Sequence, residues 1–182
     1  MSDVGVVLSL FPGLGILDRA FELEGFCVVR GPDLLWGGDI RAFSPPADRF
    51  DGIIGGPPCQ AFSLFVNLVI ARGCTPKPNL IPEFERIVQE AAPRWFVMEN
   101  VPAAPRPNVR GYVVSDQIVN NRWLGAEQNS VRRFSFGTPS GKTLDVSPDI
   151  VLLESPVRFS PVVSDLRETP VKIGGSGKLK RQ

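Results

Sequence analysis

Apolar positions along the first hundred residues fall into runs of two kinds. Residues 4–10, Val-Gly-Val-Val-Leu-Ser-Leu, are nearly continuous, apolar and rich in β-branched side chains, the pattern of a strand buried on both faces. A glycine turn follows over Phe11-Pro12-Gly13-Leu14-Gly15. Ile16, Leu17, Ala20, Phe21 and Leu23 then recur at helical spacing, and Gly25 is a natural stop. Phe26 to Val29 reads as a second strand, broken by Arg30-Gly31-Pro32-Asp33. Gly38-Asp39-Ile40 is a short third segment before a proline loop at Ser44-Pro45-Pro46. Phe50 to Gly55 forms a fourth, ending at Gly56-Pro57-Pro58-Cys59. Between Leu80 and Ala92, the residues Ile81, Phe84, Ile87, Val88 and Ala91 mark an amphipathic helix, with Asn79 as cap and Pro82 in its first turn. Trp95 to Met98 is a fifth strand, closing on Glu99-Asn100-Val101.

Strands alternating with helices at this spacing imply βαβ units, hence an α/β fold with a doubly wound, mostly parallel sheet rather than a barrel. Periodicity is lost from about Gly137. Gly174-Gly175-Ser176-Gly177, followed by Lys178, Lys180 and Arg181, has the composition of a flexible basic tail. The expected division is a catalytic domain over residues 1–137 and an irregular basic segment over 138–182.

Composition narrows the function classes. The chain has 182 residues, 43% apolar and 21% charged, ordinary for one globular domain. Its apolar runs fall far short of the ~18 residues of a membrane span. The residues before Leu8 lack the basic start of a signal peptide. Histidine is absent, which removes the commonest metal ligand and the commonest general base together. Cys27, Cys59 and Cys74 are odd in number and form no Cys-x-x-Cys pair, so a reduced, cytoplasmic setting without zinc or disulfides is expected. Residues 1–100 hold eight Lys and Arg against twelve Asp and Glu, whereas residues 101–182 hold twelve against seven. A basic C-terminal half fits a polyanion on one face, and equally a solvated lysine-rich tail.

Candidate chemistry gathers where the carboxyl ends of parallel strands should lie, the usual ligand-binding edge. Phe11 and the glycine turn follow the first strand; Asp33 follows the second, and Asp39 comes after it. Pro58-Cys59 follows the fourth segment and Glu99 ends the fifth. A glycine turn with downstream acids suits a nucleoside, the backbone approaching the ligand while carboxylates take its hydroxyl or amine protons. The turn lacks the Gly-x-Gly-x-x-Gly spacing of a dinucleotide site. In a histidine-free protein the Cys59 thiol is the best nucleophile available at neutral pH. Most free cysteines are instead small buried apolar groups, which is the expectation for Cys27. Glu99 is an acid at the buried end of a strand, placed there for use or to cap the next turn. Gln128, Arg132 and Arg133 form a polar cluster before Phe134, with exposed strand charge as the plain alternative.

Four segments together resemble the DNA cytosine-5 methyltransferases, most closely the small phage and prophage members. They are Leu10-Phe11-Pro12-Gly13-Leu14-Gly15, Gly56-Pro57-Pro58-Cys59-Gln60-Ala61-Phe62-Ser63, Met98-Glu99-Asn100-Val101 and Gln128-Asn129-Ser130-Val131-Arg132. The resemblance covers roughly residues 8–137 and implies a Rossmann-like methyltransferase fold acting on double-stranded DNA, as in restriction-modification. S-adenosylmethionine would be the methyl donor and S-adenosylhomocysteine the product. It implies that Cys59 attacks C6 of a flipped cytosine, that Glu99 bonds N3 and the exocyclic amine, and that Arg132 contacts O2. Gln60, Ser63 and Gln128 would support the base. Phe11, Gly13, Leu14, Gly15, Asp33, Asp39, Ile40, Pro58 and Leu80 would surround the donor, with Asp33 at the ribose and Asp39 at the adenine amine.

The chain departs from the family pattern at Ser9 (usually Asp), Ile16 (usually a third Gly), Glu127 (usually Pro) and Ser130 (usually Arg). It also contains no Gly-Asn-x-Val-Pro segment, which in the family completes the donor site. A second polypeptide supplying those motifs, a non-catalytic DNA- or cofactor-binding remnant, and a tRNA cytosine methyltransferase are the other readings. The Cys-Phe-Thr tripeptide typical of the RNA branch is missing.

Overall fold

A computed structural model describes residues 4–59, 70–73 and 78–143. Gln60, Ser63, Cys74 and the segment from residue 144 onward lie outside the described residues.

Six strands form one sheet: β1 (Val6–Leu10), β2 (Cys27–Arg30), β3 (Gly52–Gly55), β4 (Trp95–Asn100), β5 (Val113–Asn120) and β6 (Val131–Thr138). Their spatial order is β2-β1-β3-β4-β6-β5. The first four are parallel, with Leu8 opposite Ile53 and Ile53 opposite Phe96. β6 then enters antiparallel to β4, and β5 antiparallel to β6. Helix α1 (Ile16–Leu23) joins β1 to β2, and α2 (Ile81–Ala91) precedes β4.

Strand alternation sends Leu8, Leu10, Ile53, Phe96 and Met98 to one face, where α2 covers them with Ile81, Phe84, Ile87 and Val88. Phe84 meets Phe96 edge-on, with centroids 5.8 Å apart. Burying a side chain of this size contributes roughly 1.5–3 kcal/mol, so this face is the main core. Val7, Ile54 and Val97 point the other way, toward Leu17 and Phe21 of α1. Helices on both faces make the sheet doubly wound, as expected. Asn79 Oδ1 accepts from the Ile81 amide at 3.0 Å, supplying the expected cap of α2.

Two expectations need correction. Gly38-Asp39-Ile40 is not a strand but the start of a 3₁₀ turn, Ile40–Ala42, so Cys59 follows the third strand and Glu99 lies in the fourth. Cys27 is exposed rather than buried, because β2 is an edge strand and packs on one neighbour only. Of the β5–β6 pair, the sequence offers β6 only through the plain alternative of strand charge at Arg132 and Arg133, and β5 not at all. The pair's polar residues (Asp116, Gln117, Arg132, Arg133, Ser135) hide the strand pattern.

The chain leaves β1 outward to β2 and returns on its other side to β3, so the topological switch lies between β1 and β3. Ligands of open α/β sheets sit at that point, beyond the carboxyl ends of the strands.

Candidate active site

At the carboxyl end of β1 the chain turns sharply. Phe11 adopts a left-handed conformation (φ 56°), as do Gly13 (φ 52°) and Gly15 (φ 75°). For phenylalanine this conformation costs about 1–3 kcal/mol. Gly15 caps α1 and lies against Arg30; a Cβ there would come within 2.9 Å of the guanidinium. Beneath the loop, buried Asp18 accepts from Ser9 Oγ at 2.5 Å and from Arg30 Nε at 2.8 Å. Ser9, a departure from the family pattern, therefore has a buried carboxylate as its partner. Ile16, the other departure in this loop, is 78% exposed and disturbs no packing.

Asp33 ties the loop to the end of β2. Its Oδ2 accepts from the Gly13 amide at 3.0 Å and its Oδ1 from the Leu35 amide at 2.7 Å. A half-open cavity of about 230 Å³ lies above, lined by Phe11, Gly13, Pro32, Asp33, Leu34, Gly38, Ile40, Gly56, Pro58 and Leu80. Apolar walls, an aromatic ring and one carboxylate are a donor set suited to a nucleoside. Asp39 is not in the lining. Its carboxylate turns to Arg41, whose guanidinium and amide hold it at 2.7–3.1 Å and keep its pKa below the usual carboxylate value. Leu14 is 84% exposed and also lies outside the lining.

Gly56 and Pro58 separate this cavity from a second one of about 240 Å³, lined by Gly56, Pro57, Pro58, Cys59, Glu99, Asn100, Val101 and Arg132. Cys59 and Glu99 thus share one chamber at the ends of neighbouring strands. Arg132 enters from the start of β6, which lies beside the end of β4 because the two run antiparallel. Its Nε donates to Glu99 Oε1 at 2.8 Å. Burial raises the Glu99 pKa above the ordinary value, and the Arg132 charge and hydrogen bond oppose that shift. Gly56 keeps this partition thin: a Cβ there would stand 3.1 Å from Glu99 Oε2.

Two further residues shape this chamber. Asn100 Nδ2 donates to the Pro57 carbonyl at 3.0 Å, and its Oδ1 accepts from the Val101 amide at 2.9 Å, coupling the cysteine loop to β4. Only its place beside Glu99 hinted at this. Arg133, which the sequence leaves between a polar cluster and exposed strand charge, is buried. Gln128 sits exposed on the turn before β6, outside the cavity lining, and Ser130 is half-buried just beyond it. Among the described residues no cluster of three or more metal-ligating side chains occurs, and no helix is long and apolar enough to cross a membrane.

The sequence profile of the C-5 cytosine-specific DNA methylases matches residues 37–178. Relatives include the Type II methyltransferases M.DdeI of Desulfomicrobium norvegicum (27% identical, 94% of this chain and 50% of the relative) and M.NgoPII of Neisseria gonorrhoeae (29%, 91% and 58%). Another is M.AquIA of Picosynechococcus sp. (30%, 75% and 73%). The chain spans about half the length of the first two relatives. Among solved structures, Dnmt2 methyltransferase of S. pombe aligns with a TM-score of 0.57 at 14% identity, over 86% of this chain and 56% of that one. A Spodoptera frugiperda DNMT2 mutant gives 0.54 at 16%, over 79% and 52%. At such identities these two matches speak for the fold alone.

Proposed function

The chain belongs to the C-5 cytosine-specific DNA methylase family, and on that premise we propose that it methylates C5 of cytosine in double-stranded DNA. The observation that carries this reading is the shared chamber of Cys59, Glu99 and Arg132, walled by Gly56 and Pro58 from a cavity suited to a nucleoside. Phe11, Gly13, Asp33, Ile40, Pro58 and Leu80 would hold S-adenosylmethionine, the cofactor the family and fold imply, which supplies an electrophilic methyl group when bound. In this proposal residues 1–137 carry the chemistry, the basic segment 138–182 is what remains of the target-recognition region or a linker, and the setting is the cytoplasm.

Cytosine is unreactive at C5 until its ring is enriched in electrons, and within the stacked duplex it is out of reach, so it is flipped into the chamber. The Cys59 thiolate adds its electron pair to C6. The displaced C5–C6 pair is delocalised toward N3, where Glu99 holds the proton that neutralises it. A glutamate whose pKa is raised by burial suits that task better than an exposed one. Arg132 fixes the Glu99 carboxylate through Nε and holds the Val131 carbonyl through Nη1 at 2.9 Å, leaving Nη2 to meet the base O2. After alkylation, water takes the C5 proton, the C5–H electron pair re-forms the C5–C6 double bond as the C6–S bond breaks, and the thiolate and the Glu99 proton are both restored.

The test uses duplex DNA with 5-fluorocytosine in place of cytosine, because fluorine at C5 does not leave as a proton and elimination stalls. Wild-type protein with S-adenosylmethionine should form a covalent adduct, and Cys59→Ser should form none. A second reading, a remnant that binds without catalysis, is favoured by Ser130 where the family has arginine. Binding of cofactor and DNA without any adduct would decide for the remnant.

A further inference from the structure

Consecutive residues of a strand point to opposite faces, and in β6 two arginines follow Val131. Arg132 faces Glu99, whereas Arg133 is carried to the other side of the sheet, where it is buried. There its Nη1 donates to the Pro102 carbonyl at 3.1 Å, and its Nη2 donates to that of Ala104. Those carbonyls belong to the loop that leaves β4 directly after Glu99-Asn100-Val101. Asp116 of β5 is buried beside it. This carboxylate pairs with Arg106 of the same loop and lies 3.9 Å from Arg133 Nε. Neither Asp116 Oδ1 nor Arg133 Nε has a hydrogen-bond partner among the described residues.

Burying two charges away from water is expensive, and a well-packed apolar pair would stabilise the fold at least as well. What an apolar pair would not do is grip two backbone carbonyls. A guanidinium presents a rigid planar fork of donors, and here the fork spans Pro102 O and Ala104 O.

We propose that Arg133, supported by Asp116 and Arg106, is a positioning residue that clamps the loop behind Glu99 and so sets the shape of the base-binding chamber. With Arg132 on one face of β6 and Arg133 on the other, the Glu99–Ala104 segment is pinned from both sides. Val101, which lines the chamber, has its own carbonyl bonded to the Ala104 amide at 3.0 Å, so slack at Ala104 reaches the chamber wall directly. The catalytic part of this inference rests on the proposed methyl transfer; the clamp itself does not.

The experiment compares wild type, Arg133→Lys and Arg133→Met. Hydrogen exchange is followed at the amides of Ala104 and of Asn108, which is bonded to Glu85 at 2.8 Å. In Arg133→Met both should exchange at least tenfold faster, with the amides of β1 and α2 unchanged. Adduct formation with the 5-fluorocytosine duplex should slow at least tenfold, while S-adenosylhomocysteine affinity changes less than twofold. Arg133→Lys should recover part of both losses. Unchanged loop exchange, an unchanged adduct rate, or uniform loosening that includes the cofactor site would overturn the proposal. Should Arg133→Met fail to fold, Arg106→Ala, altered at an exposed side chain, must still quicken exchange in the loop at least threefold, or the clamp is wrong. If wild type forms no adduct, the methyl-transfer reading falls, and loop exchange alone decides the clamp.

Discussion

Asp18 allows a quantitative test of how the glycine loop is held. It is fully buried, and its carboxylate accepts from Ser9 Oγ at 2.5 Å and Arg30 Nε at 2.8 Å. Ser9 is also buried, but the Arg30 side chain is 58% exposed and lies 3.7 Å from Glu22. Asp18→Ala therefore strands a buried hydroxyl, while the guanidinium turns to water and Glu22. An unpartnered buried hydroxyl costs about 1–3 kcal/mol. Loss of a negative charge in the first turn of α1 adds up to about 1 kcal/mol. Opposing these, alanine is the better helix former by up to about 0.7 kcal/mol, and a buried carboxylate no longer needs desolvating.

The balance is a loss of about 2 kcal/mol for Asp18→Ala. Ser9→Ala, which leaves the carboxylate short of a donor, should lose about 1–2 kcal/mol. The double variant orphans neither group. Its loss should therefore fall below the sum of the singles by about 1 kcal/mol or more. Urea unfolding of the four proteins measures this cycle, and calorimetry with S-adenosylhomocysteine should show weaker binding in Asp18→Ala. Additivity within about 0.3 kcal/mol, or a loss below about 0.5 kcal/mol for Asp18→Ala, would refute the argument.

Two more predictions follow from the site. Because burial raises the Glu99 pKa above 4.5, the folded chain binds that proton more tightly than the unfolded chain. The resulting stability is full below the unfolded pKa and is lost as pH rises through the folded one. Unfolding midpoints of wild type relative to Glu99→Gln should therefore fall as pH rises from about 4 toward 7; a flat or rising difference would contradict the assigned burial. For the cofactor cavity, Asp33→Ala should weaken S-adenosylhomocysteine binding at least tenfold in calorimetry, since it removes a lining carboxylate and the acceptor of the Gly13 amide. Asp39→Ala, whose carboxylate is held by Arg41, should change binding far less. The reverse order would show that Asp39 swings into the cavity.

Local signals in this chain are strong wherever one residue type does one job. Continuous apolar runs marked β1, β3 and β4, helical spacing marked α1 and α2, and glycines stood where φ must turn positive. The grouping of Cys59 with Glu99 was also legible, since parallel strands bring their carboxyl ends to one edge whatever the intervening sequence. Other features depend on partners distant in sequence. Whether Cys27 is buried was decided by its strand's place at the sheet edge, which no local pattern records. Asp39 and Asp33 are both acids after turns, and only the neighbouring Arg41 sent one carboxylate away from the cavity while the Gly13 amide drew the other to it. The antiparallel entry of β6 decided most. Its charged residues fit a surface strand as readily as a polar cluster, but pairing with β4 on one side and β5 on the other gave Arg133 a buried carboxylate and two loop carbonyls, and set Arg132 against Glu99. A charge is read as exposed from sequence because its partners are unknown; the tertiary structure supplies those partners, and with them the reason it is buried.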